Sequence, residues 1–265
     1  VLVVWNLPKE VSFSDAVGAA RELGKMDAID TEWNLANRYN IWSGLIASVF
    51  LFLSYFGTDQ SQVGRYLSGR SLRESRIGLL FNGMVKIPMQ YLILFTGVMV
   101  FVFFQFVQPP IHFNRENMLR LENAPVFQPR LDSLERQYDA IFQQKQAEMT
   151  NLMSALRQGD DAAAAAAKSK VQALTEQDKQ VRAGVDSMLV SLSKQTGNKI
   201  ETNDRDYVFI TFVLNYLPVG IIGFLLAVIF CAAMSSISSE LNALSTTTVV
   251  DIYKHSFVKT ASDNH

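Results

Sequence analysis

The sequence predicts an all-α membrane protein that carries an α-helical hairpin outside the bilayer. Hydrophobic residues make up 49% of the chain, among them 18 Phe, and the mean hydropathy is +0.11 in spite of 24 basic and 25 acidic side chains. The two classes are segregated, because apolar blocks lie before residue 108 and after residue 206 and a charged block lies between them. Apolar runs of about 20 residues are long enough to cross a bilayer as helices. We therefore expect the lipid bilayer to be the main environment of both apolar blocks.

Composition also narrows the function classes. The formal net charge of −1 argues against a nucleic-acid partner, which would need a strongly basic surface. The single cysteine, Cys231, lies inside an apolar run, so no intrachain disulfide can form. The chain begins within an apolar run and without an initiator Met, which predicts an internal fragment of a longer protein.

The first predicted element, residues 1–8, is the end of a membrane helix stopped by Pro8. Residues 9–38 then form a polar external loop. Within this loop, residues 14–23 have one apolar face, and Ser14 is the expected N-cap of a short surface helix.

The next predicted element, residues 39–70, is a discontinuous membrane helix with a cytoplasmic continuation. Its apolar part, residues 41–56, reaches only about 24 Å at 1.5 Å per residue, which is short of a core about 30 Å thick. A crossing helix would have to continue through the Gly and polar residues that follow, a pattern typical of broken helices at transporter binding sites. The alternative is a helix that ends at Phe56.

Residues 71–107 are predicted as a further membrane helix, with an apolar run from residue 77 onward. Lys86 lies ten residues beyond Arg76, so it is about 15 Å along the axis and near the bilayer centre. A lysine at that depth needs a partner or a water-filled cavity, which makes Lys86 a functional candidate. Snorkelling to the interface is the alternative.

Charge predicts the topology. The short loop at residues 61–76 has four arginines and one glutamate, so we expect it to be cytoplasmic; the arginines are Arg65, Arg70, Arg73 and Arg76. Residues 251–265 then fall on the same side, and residues 108–206 are external or periplasmic. The expected location is a multi-pass position in a cell membrane, with the bacterial inner membrane as the expected one.

The charged block, residues 108–206, is predicted to be an external antiparallel coiled-coil hairpin, independent of the membrane core. Gly159 stops one helix and the following Asp caps the next, while apolar residues recur at steps of three and four with one polar break at Asp178. The block shows no metal-ligand spacing, nucleophile or phosphate loop. An unknown partner of the coiled coil is possible.

The last predicted elements, residues 207–254, are a short external helix and a membrane helix, followed by a cytoplasmic tail at 255–265. The membrane helix changes after Cys231 into a stretch crowded with hydroxyls. Such a stretch can supply oxygen ligands to a hard cation such as sodium. The alternative is close helix packing, with the hydroxyls bonded to their own backbone carbonyls.

Three stretches resemble the sodium/solute symporter family, which includes the sodium–glucose cotransporters. SYFGTDQSQVGRYL at residues 54–67 resembles its broken sixth core helix, GLLFNGMVKIP at 78–88 the start of the seventh, and AMSSISSELNALSTTTVVDIYK at 233–254 the eighth. The resemblance implies a fragment of a LeuT-type inverted-repeat transporter that runs from the end of core helix five through core helix eight. The hairpin departs from the short external loop usual in the family.

The resemblance also implies two sites. Sodium would be the coupling ion, bound by the backbone carbonyl of Ala232 and the hydroxyls of Ser235 and Ser236. Ala232 precedes the two serines by three and four residues, so the three oxygens can converge. The substrate-binding positions that match sugar-carrying members are Tyr55, Gln60 and Lys86.

The implied function is sodium-coupled symport of a small polar organic solute into the cell, which is a non-enzymatic activity. Phe52 and Phe56 differ from the sugar-carrying pattern, and RYNIW at residues 38–42 resembles the branch that carries carboxylates and vitamins. The substrate is therefore a sugar or related solute, or alternatively a monocarboxylate or vitamin. A symporter-like sensor module in a signalling protein is the alternative function. A membrane scaffold that only displays the hairpin would not explain the intramembrane Lys86 or the hydroxyl cluster.

Overall fold

The computed structural model describes residues 2–27, 31–34, 40–67, 69 and 71–258, and the regular elements among them are helices. These helices are α1 (Leu2–Trp5), α2 (Phe13–Glu22), α3 (Ile41–Gly57), α4 (Gln60–Leu67), α5 (Leu72–Phe106), α6 (Arg115–Glu122), α7 (Gln128–Gln158), α8 (Asp161–Thr196), α9 (Tyr207–Tyr216) and α10 (Val219–Thr246), which a π-helix continues over Thr247–Phe257. Arg38, Arg70 and residues 259–265, which the predictions above include, lie outside the described residues.

Within the described ranges, two helices are long and apolar enough to cross a membrane by length and composition: α5, with 35 residues, and α10 with its π-helical continuation, with 39 residues. The shorter helices α3 and α9 are also apolar. The π-helix extends through Asp251 to Phe257, so the polar segment that follows the predicted membrane helix begins as a helix and not as a tail.

The chain forms two compact units. The first contains Val1–Asp27 and Leu92–Leu217, and the second contains Ala28–Tyr91 and Pro218–His265, so α5 contributes residues to both.

The first unit is built on the hairpin of α7 and α8. Gly159 ends α7 in the left-handed region at φ 70°, and the Asp160 carboxylate accepts the Ala163 N–H at 2.9 Å, which confirms the predicted stop and cap. The apolar stripe of α8 is buried, as the sequence predicts, at Val171, Leu174, Val181, Val185, Met188 and Leu192. The two helices therefore pack along their apolar faces, while coiled-coil geometry stays a prediction.

The polar break at Asp178 is an ion-pair cluster. Its carboxylate lies 3.6 Å from the ammonium of Lys145, which is only 4% exposed, and 3.3 Å from the Arg182 guanidinium. The Arg182 guanidinium also donates to the Tyr138 hydroxyl at 2.7 Å. A carboxylate in the seam is tolerated here because its charge is compensated by two cations.

The hairpin is not independent of the segments around it, in contrast to the sequence-based prediction. One apolar cluster joins the end of α5 to the tip half of the hairpin, to α2 and to α9; its fully buried members include Val102, Phe103, Met149, Leu152, Val171, Ala16 and Phe212. The α5 side chains are largely exposed as far as Gly97 and buried from Met99 to Phe106. The last turns of α5 are therefore covered by protein, a feature that an uninterrupted apolar run does not reveal.

The hairpin tip is also tied to α2 by a salt bridge. The N-cap of α2 is Ser12, two residues before the predicted Ser14, and Ser12 and Asp15 form a reciprocal capping box. The Arg157 guanidinium donates to the Asp15 carboxylate at 2.9 Å and to the Glu10 carbonyl at 2.7 Å. The hydrogen bond from Arg157, aided by those from Ser12, holds the pKa of Asp15 well below its usual value.

This salt bridge predicts a pH-dependent contribution to stability. Because the folded-state pKa of Asp15 is lowered, its contribution is present above the unfolded value of about 3.9 and is lost as the pH falls through the folded value. Arg157→Gln should therefore lower the thermal midpoint by a few degrees at pH 7, and this difference should shrink toward pH 2. Arg136→Gln is the matched control, since the Arg136 Nε donates to a backbone carbonyl. A difference between wild type and Arg157→Gln that is the same at both pH values would contradict the prediction.

Candidate functional site

The candidate site lies in the second unit, at the interruption between α3 and α4. α3 ends at Gly57, and both the N–H and the hydroxyl of Thr58 donate to the Ser54 carbonyl, at 3.0 and 2.9 Å. The Asp59 carboxylate accepts the Ser61 N–H at 3.0 Å and so begins a new helix. Gln60, a predicted substrate residue, is the exposed first residue of α4.

Two of the predicted substrate residues are brought together from different helices. The Lys86 ammonium on α5 lies 6.0 Å from the centre of the Tyr55 ring on α3, at the outer limit of a cation–π contact. Among the residues that the structure describes, Lys86 has no ion-pair partner. A hydrogen-bond donor beside an aromatic ring is an arrangement that suits a small solute with oxygen acceptors.

Sequence reasoning missed a polar contact between α4 and α10. The buried Ser61 hydroxyl lies 2.8 Å from Oε1 of Glu240 and 2.8 Å from Oδ1 of Asp59. The hydroxyl has one hydrogen, so it can donate to only one carboxylate at a time. The signal that could have found this contact is Glu240 itself, the one charged residue of α10, which needs a polar partner if the helix lies in a membrane.

The three predicted sodium ligands lie within α10, which is a regular α-helix from Val219 to Thr246. The Ala232 carbonyl therefore accepts its intrahelical hydrogen bond and offers its second lone pair to another group. Within the described part of the chain, neither Ser235 nor Ser236 forms a side-chain hydrogen bond. Both hydroxyls are thus available to a ligand in this state of the helix.

Other hydroxyls of this helical segment behave differently. Those of Thr246 and Thr248 donate to the carbonyls of Asn242 and Leu244 at 2.9 and 2.7 Å. Bonding to the helix's own backbone is the alternative role for the hydroxyls of this stretch, and the structure shows such bonds at these two threonines. The structure shows no such bond at Ser235 and Ser236.

Helical spacing relates the predicted sodium ligands to the contact between Glu240 and Ser61. Ala232, Ser236 and Glu240 follow at intervals of four, so they lie on one face of α10 about 6 Å apart. Glu240 contacts Ser61, which follows Gln60. The face of α10 that carries the predicted sodium ligands therefore also carries the residue that contacts α4. Within the described residues, no hydrogen bond joins Ser235 or Ser236 to the predicted substrate residues Tyr55, Gln60 and Lys86.

The described residues contain no cluster of three or more His, Cys, Asp and Glu suited to a metal ion. The candidate ligands of α10 are instead a carbonyl and two hydroxyls. Neutral oxygens of this kind suit a monovalent hard cation better than a transition metal, which favours nitrogen and sulfur ligands.

Comparison with known proteins finds a family match for the part of the chain that contains α10. Residues 184–265 match the sequence model of the sodium:solute symporter family, a range that contains Ala232, Ser235, Ser236 and Glu240. Among curated proteins, the human sodium/iodide cotransporter is 24% identical over 90 residues, which are 34% of this chain and 14% of the relative. The alignment thus spans about a seventh of the relative's length. No solved structure matches.

The matched range begins near the end of α8 and covers α9, α10 and the π-helical continuation, so Tyr55, Gln60 and Lys86 lie outside it. Its apolar helices, its hydroxyl-rich stretch and the family match all point to one class of membrane protein. Residues 184–265 are therefore similar to the sodium:solute symporter family.

Proposed function

We propose that this chain forms part of a sodium-coupled symporter and supplies one side of its sodium site and one side of its substrate site. Members of the sodium:solute symporter family are transporters and not enzymes. The name of the human relative, sodium/iodide cotransporter, supports sodium as the coupling ion. The proposal places sodium at the Ala232 carbonyl and at the Ser235 and Ser236 hydroxyls.

The observation that carries the proposal is that these two hydroxyls form no hydrogen bond within the described residues. A hydroxyl in a lipid-embedded helix is costly to leave without a polar partner. Thr246 and Thr248 meet this need with their own backbone. Within the described residues Ser235 and Ser236 do not, and neither do Ser238, Ser245 and Thr247. A desolvated sodium ion held by Ser235, Ser236 and the Ala232 carbonyl would supply the missing partner of the first two.

The contact between Glu240 and Ser61 supports coupling of sodium to substrate. It joins the helix of the proposed sodium ligands to the helix whose first residue is Gln60. A sodium ion that shifts α10 by even a small amount would change the position of α4 through this hydrogen bond. Coupling requires only that sodium binds the outward-facing and inward-facing states with different affinity.

The proposed substrate is a small polar organic solute, a sugar or related compound, with a monocarboxylate or vitamin as the alternative. Lys86 would donate hydrogen bonds to its hydroxyl or carboxylate oxygens, and Tyr55 would cover it with its ring. The 6.0 Å separation between the two groups supports a shared contact. Gln60 would add an amide at the helix interruption.

Sodium-driven uptake tests the function directly. The full-length protein in proteoliposomes should accumulate radiolabelled solute under an inward sodium gradient and much less under an equal potassium gradient. A panel of neutral sugars and monocarboxylates separates the two substrate classes. Sodium-dependent binding without accumulation would favour the sensor function, and the absence of both would contradict the proposal.

Lys86→Met tests the substrate site. The substitution keeps the length of the side chain and removes its charge and hydrogen bonds, so we expect the full-length protein to insert normally and to show a KM for uptake raised about tenfold or more, equivalent to roughly 1.4 kcal/mol. Arg73→Met, near the start of α5, is the control for loss of one positive charge. Normal uptake by Lys86→Met at limiting substrate would show that Lys86 snorkels instead.

A further inference from the structure

The exposure of α5 marks one boundary of the membrane. From Ile77 to Gly97 the helix is mostly apolar and largely exposed, and from Met99 to Phe106 it is buried in the first unit except for the half-buried Phe101. The exposed stretch is about 30 Å long at 1.5 Å per residue, which equals the thickness of a hydrocarbon core. The boundary on this side therefore lies close to Gly97.

A cavity of about 420 Å³ in the first unit opens at this boundary. Gly97, Val100 and Phe101 of α5 line one side, and Val208 and Phe209 of α9 contribute further apolar surface. The volume falls within the range of small-molecule pockets. One part of the cavity is thus an apolar surface at the level where the lipid headgroups begin.

The hairpin lines the same cavity with positive charge. Four cationic side chains and a single carboxylate reach it: Lys145, Lys179, Arg182, Arg205 and Asp178. Asp178 is shared by Lys145 and Arg182, and Lys179 forms an exposed pair with Glu176. In the described part of the chain, the Arg205 guanidinium has no ion-pair partner. Positive charge therefore exceeds negative charge within the cavity.

The most enclosed cations are held in fixed positions. Lys145 is 4% exposed, and its ammonium lies 3.6 Å from the Asp178 carboxylate. The Arg182 guanidinium lies 5.4 Å from the ring centre of Phe113 and 5.2 Å from that of Tyr138, and it donates to the Tyr138 hydroxyl. The Nε and Nη2 hydrogens of Arg182 are donated to Asp178, to the Pro110 carbonyl and to Tyr138, so its Nη1 group is the part that can donate to a phosphate or carboxylate.

We propose that this cavity binds the phosphate of an anionic membrane phospholipid. Arg182, Lys145, Lys179 and Arg205 would contact the phosphate, while the start of an acyl chain would lie along Phe101 and Phe209 at the membrane boundary. A soluble phosphate ester has the same headgroup chemistry. A lipid is favoured because only a lipid also uses the apolar surface formed by α5 and α9. The site is separate from the proposed sodium and substrate residues.

Native mass spectrometry of the purified full-length protein tests this proposal. We expect the wild-type protein to retain phosphatidylglycerol at least about fivefold better than phosphatidylcholine, a preference equivalent to roughly 1 kcal/mol. Lys179→Gln combined with Arg205→Gln should remove most of this preference, because both side chains are exposed cations of the cavity. Arg130→Gln combined with Lys194→Gln makes the same change in charge at exposed positions elsewhere on the hairpin. This control variant should keep the preference for phosphatidylglycerol.

Three results would overturn the proposal. The first is equal retention of phosphatidylglycerol and phosphatidylcholine by the wild-type protein, which needs no variant. The second is an equal loss of preference in both double variants, which would indicate a general charge effect. The third is displacement of the lipid by glycerol phosphate at equal concentration, which would identify a soluble phosphate ester as the ligand. None of these measurements depends on sodium-driven uptake.

Discussion

Replacement of both Ser235 and Ser236 by Ala should weaken the apparent sodium affinity of uptake at least about tenfold, or roughly 1.4 kcal/mol. The change removes two hydroxyl oxygens and keeps small side chains with good helix propensity. Because α10 is a regular helix from Val219 to Thr246, the Ala232 carbonyl should remain in place. The loss would therefore come from the missing ligands and not from a distorted helix. The measurement is the sodium activation curve of the full-length protein in proteoliposomes.

The matched control uses the two nearby threonines. Thr246→Ala combined with Thr248→Ala also removes two hydroxyls from the same helical segment, but these hydroxyls are already bonded to backbone carbonyls. The control should keep a normal sodium activation curve. An unchanged curve in the serine double variant would contradict the sodium assignment, and an equal shift in both double variants would indicate a general effect on the helix.

Features encoded by local sequence could be predicted well. The interruption at Thr58 and Asp59 lies where Gly and polar residues end the apolar run, and the turn at Gly159 follows from left-handed glycine and an N-cap. These elements depend on neighbouring residues, so a sequence contains the information directly. Whether α3 and α4 cross a bilayer as one discontinuous helix stays a prediction.

Contacts between distant residues could not be predicted in the same way. Ser61 and Glu240 are 179 residues apart, and nothing in the sequence pairs them. Asp178 was visible as a polar break in an apolar stripe, but its partner Lys145 looked like one of many exposed lysines. The sequence can show that a charged group in an apolar helix needs a partner, whereas only the fold determines which residue that partner is.

The part of the candidate site on α3 and α5 shows the same limit. Tyr55 and Lys86 were named separately through a family resemblance, and the structure places them 6.0 Å apart. The roles of Tyr55, Gln60, Lys86, Ala232, Ser235 and Ser236 stay predictions. Their test is functional.

The hairpin provides the second large expected effect. The sequence predicts a hairpin that is independent of the membrane core, and removal of an independent hairpin would leave uptake largely intact. The structure places the last turns of α5 in one apolar cluster with the hairpin and α9, and Phe103 in that cluster is fully buried. Deletion of residues 128–197 would expose this apolar surface to water at about 25 cal/mol for each Å². We therefore expect the deleted protein to fail to fold or to aggregate.

A single substitution tests the same idea without the ambiguity of a deletion. Leu152 on α7 is 0% exposed and belongs to the apolar cluster that includes the end of α5. Leu152→Ala should lower the free energy of unfolding by about 2–5 kcal/mol, because it removes apolar contacts and leaves a cavity. Val190→Ala, at a position on α8 that is 43% exposed, is the control and should change the free energy of unfolding by about 0.5 kcal/mol or less. Thermal unfolding of the full-length protein in detergent is the measurement, with a shift of roughly 2–4 °C expected for each kcal/mol. If Leu152→Ala and Val190→Ala both melt at the wild-type temperature, the apolar cluster around Leu152 does not stabilise the fold and the prediction is wrong.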